Sequence, residues 1–193
     1  MQQGSLTTAA HALVETLSAI ARRQHEHRER TVSRLSAVLA SRLLPEDLVE
    51  LATYYLAKAQ RDLGLTDDSR RGMQRVAAAG GRLAFAAGRG LAHLSRLSGD
   101  FPAAVEAAGR LGWPGRHQRV LGDVWWVQGD MDRAEAAYLA DRSEAEQHAV
   151  EGERAMVQAH LAFAVAFTDP CGPMTSSTWQ TGCCRASACA PPS

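Results

Sequence analysis

The stretch LGDVWWVQGDMDRAEAAY, Leu121–Tyr138, reads as two helices joined by a tight turn. Leu121, Trp125 and Gln128 fall four and three residues apart and so share one helix face. Gly129 suits the positive φ that ends a helix, and Asp130 behind it suits the cap of the next one. Ala134 is small, which lets the second helix approach the first closely at Gly122. The leucine stands eight residues before the turn glycine, and Ala134 and Tyr138 stand five and nine after it.

The spacing recurs elsewhere. Leu56-Ala57 leads to Gly64, then Ser69 and Met73, and Leu91-Ala92 leads to Gly99, then Ala104 and Ala108. A fourth, incomplete copy runs from Leu161-Ala162 to Asp169. The leucines are 35, 30 and 40 residues apart. Such a period is the mark of helical repeats, in which each hairpin buries its apolar face only by stacking on the next. The alternative is an ordinary antiparallel helical bundle whose hairpins share a spacing by chance.

The pattern resembles the tetratricopeptide repeat, a helix–turn–helix of about 34 residues that reads W-x2-L-G-x2-Y, then A-x3-F, then P. Here the best copy reads Gln118-x2-Leu121-Gly122-x2-Trp125, then Ala134-x3-Tyr138. It departs at the first Trp, replaced by Gln118, and at the late Pro, replaced by Glu146. The resemblance spans roughly Glu50 to Pro170. It implies an all-α fold of antiparallel hairpins stacked as a tetratricopeptide-like α-solenoid. The chain then divides into N-terminal helices over 1–44, repeats over 45–170 and a tail over 171–193.

The flanking elements are legible from pattern. Ala9, Ala10, Leu13, Val14, Leu17 and Ile20, with Leu6 before them, form an amphipathic stripe, with Thr7 or Thr8 as cap. Val32, Leu35, Val38, Leu39 and Leu43 form a second. Between them, RRQHEHRERTVSR (Arg22–Arg34) is rich in Arg and His, but Glu26 and Glu29 interrupt it and no aromatic residue is interleaved. It is read as a solvated connection rather than a nucleic-acid contact. Pro45 opens a helix over Leu48–Leu63, and Thr66, Asp67 and Asp68 cap its partner, which runs to about Ala79. Gly80-Gly81 breaks the chain before a helix over Arg82–Ser98; AAAGGRLAFAAGRG lacks GxxxxGK[ST] and is a helix junction, not a phosphate loop. Asp100 and Pro102 open the next helix, and Trp113-Pro114-Gly115 is a turn. Arg142–Glu153 continues helical with an irregularity near Gly152, and Ala155–Phe167 is an apolar helix that requires a neighbour.

Composition narrows the function classes. Formal net charge is zero, which argues against a generally nucleic-acid-binding surface. No run of about 18 apolar residues exists, and no basic segment followed by an apolar block opens the chain. The expectation is a cytoplasmic protein that meets no membrane. Lys58 is the one lysine among 21 basic residues; the Arg-, Ala- and Gly-rich usage points to a high-GC, actinobacterial-like gene. The histidines (11, 25, 27, 93, 117, 148, 160) are scattered, and neither a Ser/His/Asp or Cys/His set nor an HExxH sequence is present. Neither enzymatic activity nor a cofactor is expected, and His160 reads as a packed histidine.

After Asp169-Pro170 the character changes. CGPMTSSTWQTGCCRASACAPPS holds all four cysteines, without a CxxC pair or helical period. Read one base earlier with GC-rich codons, it becomes an amphipathic helix resembling the missing partner of Ala155–Phe167. A shifted reading frame is therefore expected, which makes the chain a fragment, its tail disordered and the face of Ala155–Phe167 uncovered and open to self-association.

In tetratricopeptide arrays the first helices of the repeats line a concave groove that holds peptides. By that register the resemblance puts Tyr54, Lys58, Arg61, Arg89, His93, Arg96, Arg119, Asp123 and Trp126 toward a groove. Arg89, His93 and Arg96 would form a cationic stripe, and Arg suits carboxylates; the alternative is that these Arg residues are a solvated face with local ion pairs. The implied function is a scaffold or sensor module for a protein or peptide, with an acidic segment as the partner its Arg residues suit. The alternative is the regulatory C-terminal part of a bacterial signalling NTPase or transcriptional regulator whose catalytic or DNA-binding domain lies elsewhere.

Overall fold

The computed structural model describes residues 8–168; the cysteine-containing tail and the expectations of disorder and a shifted frame lie outside them. Those residues form nine helices and no strand: α1 (Ala9–Arg22), α2 (Arg28–Ser41), α3 (Glu46–Asp62), α4 (Thr66–Ala79), α5 (Ala84–Leu97), α6 (Phe101–Ala108), α7 (Pro114–Gln128), α8 (Met131–Gln147) and α9 (Glu151–Thr168). The chain divides between Trp113 and Pro114 into two compact units, an N-terminal unit holding α1–α6 and a C-terminal unit holding α7–α9. Within each unit every helix packs on the next along the chain, as short connections between antiparallel helices require.

The three complete copies of the hairpin spacing share one turn. Gly64, Gly99 and Gly129 have φ of 77°, 77° and 80°. The next residue's amide donates back to the helix each time: Leu65 to Gln60 at 2.9 Å, Asp100 to Ser95 at 2.9 Å and Asp130 to Trp125 at 3.0 Å. These are Schellman closures, for which glycine removes the Cβ penalty. The positions flanking the turn are buried in all three copies: Ala57, Ala92 and Gly122 before it, then Ser69, Ala104 and Ala134, then Met73, Ala108 and Tyr138. Ser69 donates to the Ala57 carbonyl at 2.7 Å, tying α4 to α3. Gly122 is required by a close approach, because a Cβ there would collide with the Tyr138 ring.

Asp100 and Asp130 cap α6 and α8, accepting from Ala103 at 3.1 Å and Arg133 at 3.2 Å, and Thr8 caps α1. Other local expectations need correction. Thr66, Asp67 and Asp68 do not cap α4 by hydrogen bonds; they are its first turn, where the two carboxylates meet the helix's positive end. Pro45 precedes α3 rather than lying in its first turn. Trp113-Pro114-Gly115 is not a free turn, since Pro114 starts α7. The break between α8 and α9 falls at His148–Val150, and Gly152 lies inside α9.

The N-terminal unit has two apolar centres. Ala19, Leu35 and Ala52 join α1, α2 and α3, while Ala57, Met73, Val76, Ala87 and Leu94 join α3, α4 and α5. Fully burying side chains such as Leu35, Met73 and Leu94 stabilises the unit by about 1.5–3 kcal/mol each. The buried face of α1 is Ala12, Thr16 and Ala19, not the leucine stripe: Val14 is 64% and Leu17 49% exposed. Thr16 tolerates burial because its hydroxyl donates to the Ala12 carbonyl at 2.7 Å. In the C-terminal unit Ala134, Tyr138, Val157, Leu161 and Ala164 form the core. The other face of α9 is open, with Phe163 63% and Phe167 66% exposed.

Candidate functional site

The C-terminal half of α3 carries Tyr54, Tyr55, Lys58, Arg61 and Asp62 within little more than two turns. The rings of Tyr54 and Tyr55 meet edge to face at 5.3 Å, and the Lys58 ammonium lies 5.8 Å from both ring centres. Arg23, closing α1, stacks its guanidinium 4.9 Å over Tyr55 and donates to the Ile20 carbonyl at 2.6 Å. Arg28, the first residue of α2, brings Nε to 3.7 Å from an Asp62 carboxylate oxygen. Arg61 donates to the other Asp62 oxygen through Nε at 3.0 Å and Nη2 at 2.8 Å.

This face has more cation than its single carboxylate can neutralise. Burial holds the Lys58 amine below the ordinary lysine range, with Arg61 and Arg23 pushing the same way; Asp62 opposes them. Burial likewise raises the Tyr54 phenol, an effect that Arg89 on α5 opposes. Arg89 therefore lies within electrostatic reach of the α3 cluster. Four of the residues expected from the groove register, Tyr54, Lys58, Arg61 and Arg89, thus gather in the N-terminal unit. His93 and Arg96 pair with each other on α5, Arg96 Nη2 lying 2.8 Å from His93 Nδ1.

The three expected contact residues of the C-terminal unit are engaged inside it. Arg119 is 7% exposed, pairs with buried Glu153 of α9 and donates to the Met156 sulfur at 3.0 Å. This corrects the expectation that Arg119 is free for a partner. Asp123 accepts from the Tyr138 hydroxyl at 2.9 Å. Trp126 packs edge to face on Phe163 and Phe167 of α9, with ring centres 6.4 and 5.2 Å apart.

Neither a family model nor a curated protein matches the chain. Among the described residues no group of three or more His, Cys, Asp or Glu is placed to hold a metal ion, and no helix is long and apolar enough to cross a membrane.

Arg23, Arg28 and Tyr55 were not among the expected site residues. The signal was present in the Arg-rich segment 22–34, read as a solvated connection. Part of it is a connection, but the α1–α2 hairpin folds that connection against α3. Arg34 fixes the hairpin: it binds Glu15, donates to Glu26 at 3.1 Å and to Ser18 at 3.0 Å. Its hydrogen bond to Glu15 holds that carboxyl below the usual range.

The C-terminal unit also hides polar groups that spacing did not reveal. Asp141 on α8 is fully buried, and among the described residues neither of its carboxylate oxygens has a hydrogen-bond partner. Burial raises it to about 7, with Glu153 pushing the same way and Arg119 opposing. His160 stacks on Tyr138 at 5.2 Å, as expected of a packed histidine.

Proposed function

We propose that the chain is a protein-interaction module of tetratricopeptide-like type that holds an acidic peptide segment on the cationic face of its N-terminal unit. The observation that carries this is the excess of positive charge around Tyr54 and Tyr55, where Arg23, Arg28, Lys58 and Arg61 meet the single carboxylate of Asp62. Arg89 adds to the field at Tyr54 and Lys58. Guanidiniums bind carboxylates in a two-point fork, and aromatic rings between them offer apolar contact at small entropic cost. The shared turn geometry of the three hairpins supports the repeat reading.

The test is binding of a fluorescent Asp/Glu-rich peptide, followed by anisotropy at two salt concentrations. Reversing charge at Arg89 and Arg96 together should weaken binding by at least about tenfold at low salt, less so at high salt. Unchanged binding in Arg89→Glu/Arg96→Glu would remove the reading.

A further inference from the structure

A cavity of about 230 Å³ opens where the end of α1 and the first turn of α2 meet the end of α3. Arg23, Arg28, Lys58 and Arg61 line it with Tyr55, Thr31 and a single acid, Asp62. Asp62 is taken up by Arg61 and Arg28. Arg23 and Lys58 have no carboxylate within ion-pair distance among the described residues. Thr31 is 2% exposed, and its hydroxyl has no hydrogen-bond partner among the described residues. Such a group, buried and unbonded, carries a free-energy cost that a ligand oxygen would remove. Of the α2 residues lining the cavity, Arg28 opens the helix, which no side chain caps, and Thr31 stands at its fourth position with its own amide bonded to the His27 carbonyl at 3.4 Å.

We propose that this cavity is a binding site for a small phosphomonoester, whose phosphate lies between the guanidiniums of Arg23 and Arg28, the Lys58 ammonium and the Thr31 hydroxyl. Phosphate fits better than carboxylate on two counts. The lining carries four cations against one acid, and a phosphomonoester brings close to two negative charges rather than one. It also offers three acceptor oxygens, enough for two guanidiniums and a hydroxyl at once, where a carboxylate offers two. The modest volume favours a phosphate on a small molecule over one on a bulky chain. Burial is the main cause of the lowered Lys58 amine and would remain, but a bound dianion would counter the push of Arg61 and Arg23 upon it. The site lies on the cationic face proposed above and shares Arg23, Arg28, Lys58 and Arg61 with it; Thr31, which the peptide reading does not use, lets the two fail separately.

The experiment is calorimetric titration of the full chain with glycerol 3-phosphate, inorganic phosphate, acetate and a phosphoserine peptide. Both free phosphates should bind, and acetate about tenfold more weakly or worse. Arg23→Met and Lys58→Met should each weaken glycerol 3-phosphate by about 10- to 100-fold. Thr31→Val keeps the side-chain shape; it should weaken the ligand while leaving the melting temperature equal or higher, which separates ligand loss from misfolding. Lys58 is the only lysine, so its acetylation by acetic anhydride, read by mass spectrometry, should slow when glycerol 3-phosphate saturates the protein. Thr31→Val should leave binding of the Asp/Glu-rich peptide unchanged, whereas Arg89→Glu/Arg96→Glu, which also lowers the positive field at Lys58, should weaken phosphate by less than Arg23→Met does. The assignment is overturned by equal affinity for acetate, by wild-type affinity in Thr31→Val and Lys58→Met, or by a phosphoserine peptide that binds where glycerol 3-phosphate does not.

Discussion

Arg61 in the N-terminal unit and Arg119 in the C-terminal unit each pair with a carboxylate from a helix, and there the likeness ends. Around Arg61 the cations outnumber the acid, Asp62 has two guanidiniums, and the group borders an open cavity. Around Arg119 the acids outnumber the cation: Glu153, Asp141 and Asp123 act on one region, and the Arg119, Glu153 and Asp141 side chains are buried. A charge excess at a wet surface costs little and remains available to a ligand, because water and salt screen it. A charge excess in a core must be paired or titrated away. The same residue types thus make an accommodating face in one unit and a structural cluster in the other.

Breaking the two pairs separates them most sharply. Arg119→Ala leaves Glu153 buried without its cation and should destabilise the C-terminal unit by about 3–5 kcal/mol. Arg61→Ala removes a partner of Asp62 whose side chain is 21% exposed; Asp62 keeps Arg28 nearby, and the loss should be about 1 kcal/mol. Urea unfolding followed through far-ultraviolet circular dichroism and tryptophan fluorescence measures both, since the helical signal covers both units while Trp125 and Trp126 report on the C-terminal unit. Similar losses in the two variants would mean that Arg119 is not the buried anchor described.

The second difference is a pH dependence confined to one unit. Asp141 faces Glu153 from α9, Arg119 and Asp123 from α7, and Glu144 on its own helix. Its folded value is raised to about 7 from an ordinary 3.8, so the folded chain holds a proton that the unfolded chain has released. The associated stability is fully present below about pH 4 and is lost as pH rises through 7. Asp141→Asn keeps the neutral shape at all pH. It should melt higher than the wild type at pH 8 by the equivalent of about 1–3 kcal/mol, with little difference at pH 5. Melting curves whose difference does not change between pH 5 and pH 8 would show that Asp141 titrates normally.

What could be read from the residues follows from the range of the forces involved. Turn glycines and the caps at Asp100 and Asp130 are local, fixed by a few backbone amides, and they stand where spacing put them. Which side of a helix faces inward is not local. Periodicity gave α1 a leucine face, but Ala12, Thr16 and Ala19 let α1 pack more closely on its neighbours, and Val14 and Leu17 turned outward. On α7, Arg119, Asp123 and Trp126 do share a side, but α8 and α9 supply partners for that side: Tyr138 for Asp123, Glu153 for Arg119, and Phe163 and Phe167 for Trp126. Arg23 and Arg28 stand in an Arg-rich segment evident in the sequence, but nothing local assigns that segment to a site, because only the α1–α2 hairpin brings it to α3.

The smallest effect concerns a feature that the two units share. The turn between α8 and α9 repeats the glycine turns of the other hairpins in its bonding: Val150 donates to the Ala145 carbonyl at 2.9 Å, as Leu65 does to Gln60. The residue at the left-handed position is Ala149, with φ of 52°. A Cβ in that region is strained, whereas glycine is not, although glycine surrenders more backbone freedom on folding. The balance predicts that Ala149→Gly stabilises the C-terminal unit by about 0.5–1 kcal/mol, while Gly129→Ala, at φ of 80° in the equivalent turn, costs a similar amount or more. Paired thermal melts of the two variants read the signs directly. Opposite signs would establish that hairpin turns with different residues obey one local geometry. A loss in Ala149→Gly would mean that the turn before α9 relaxes in solution to a conformation alanine prefers and does not follow the rule of Gly64, Gly99 and Gly129.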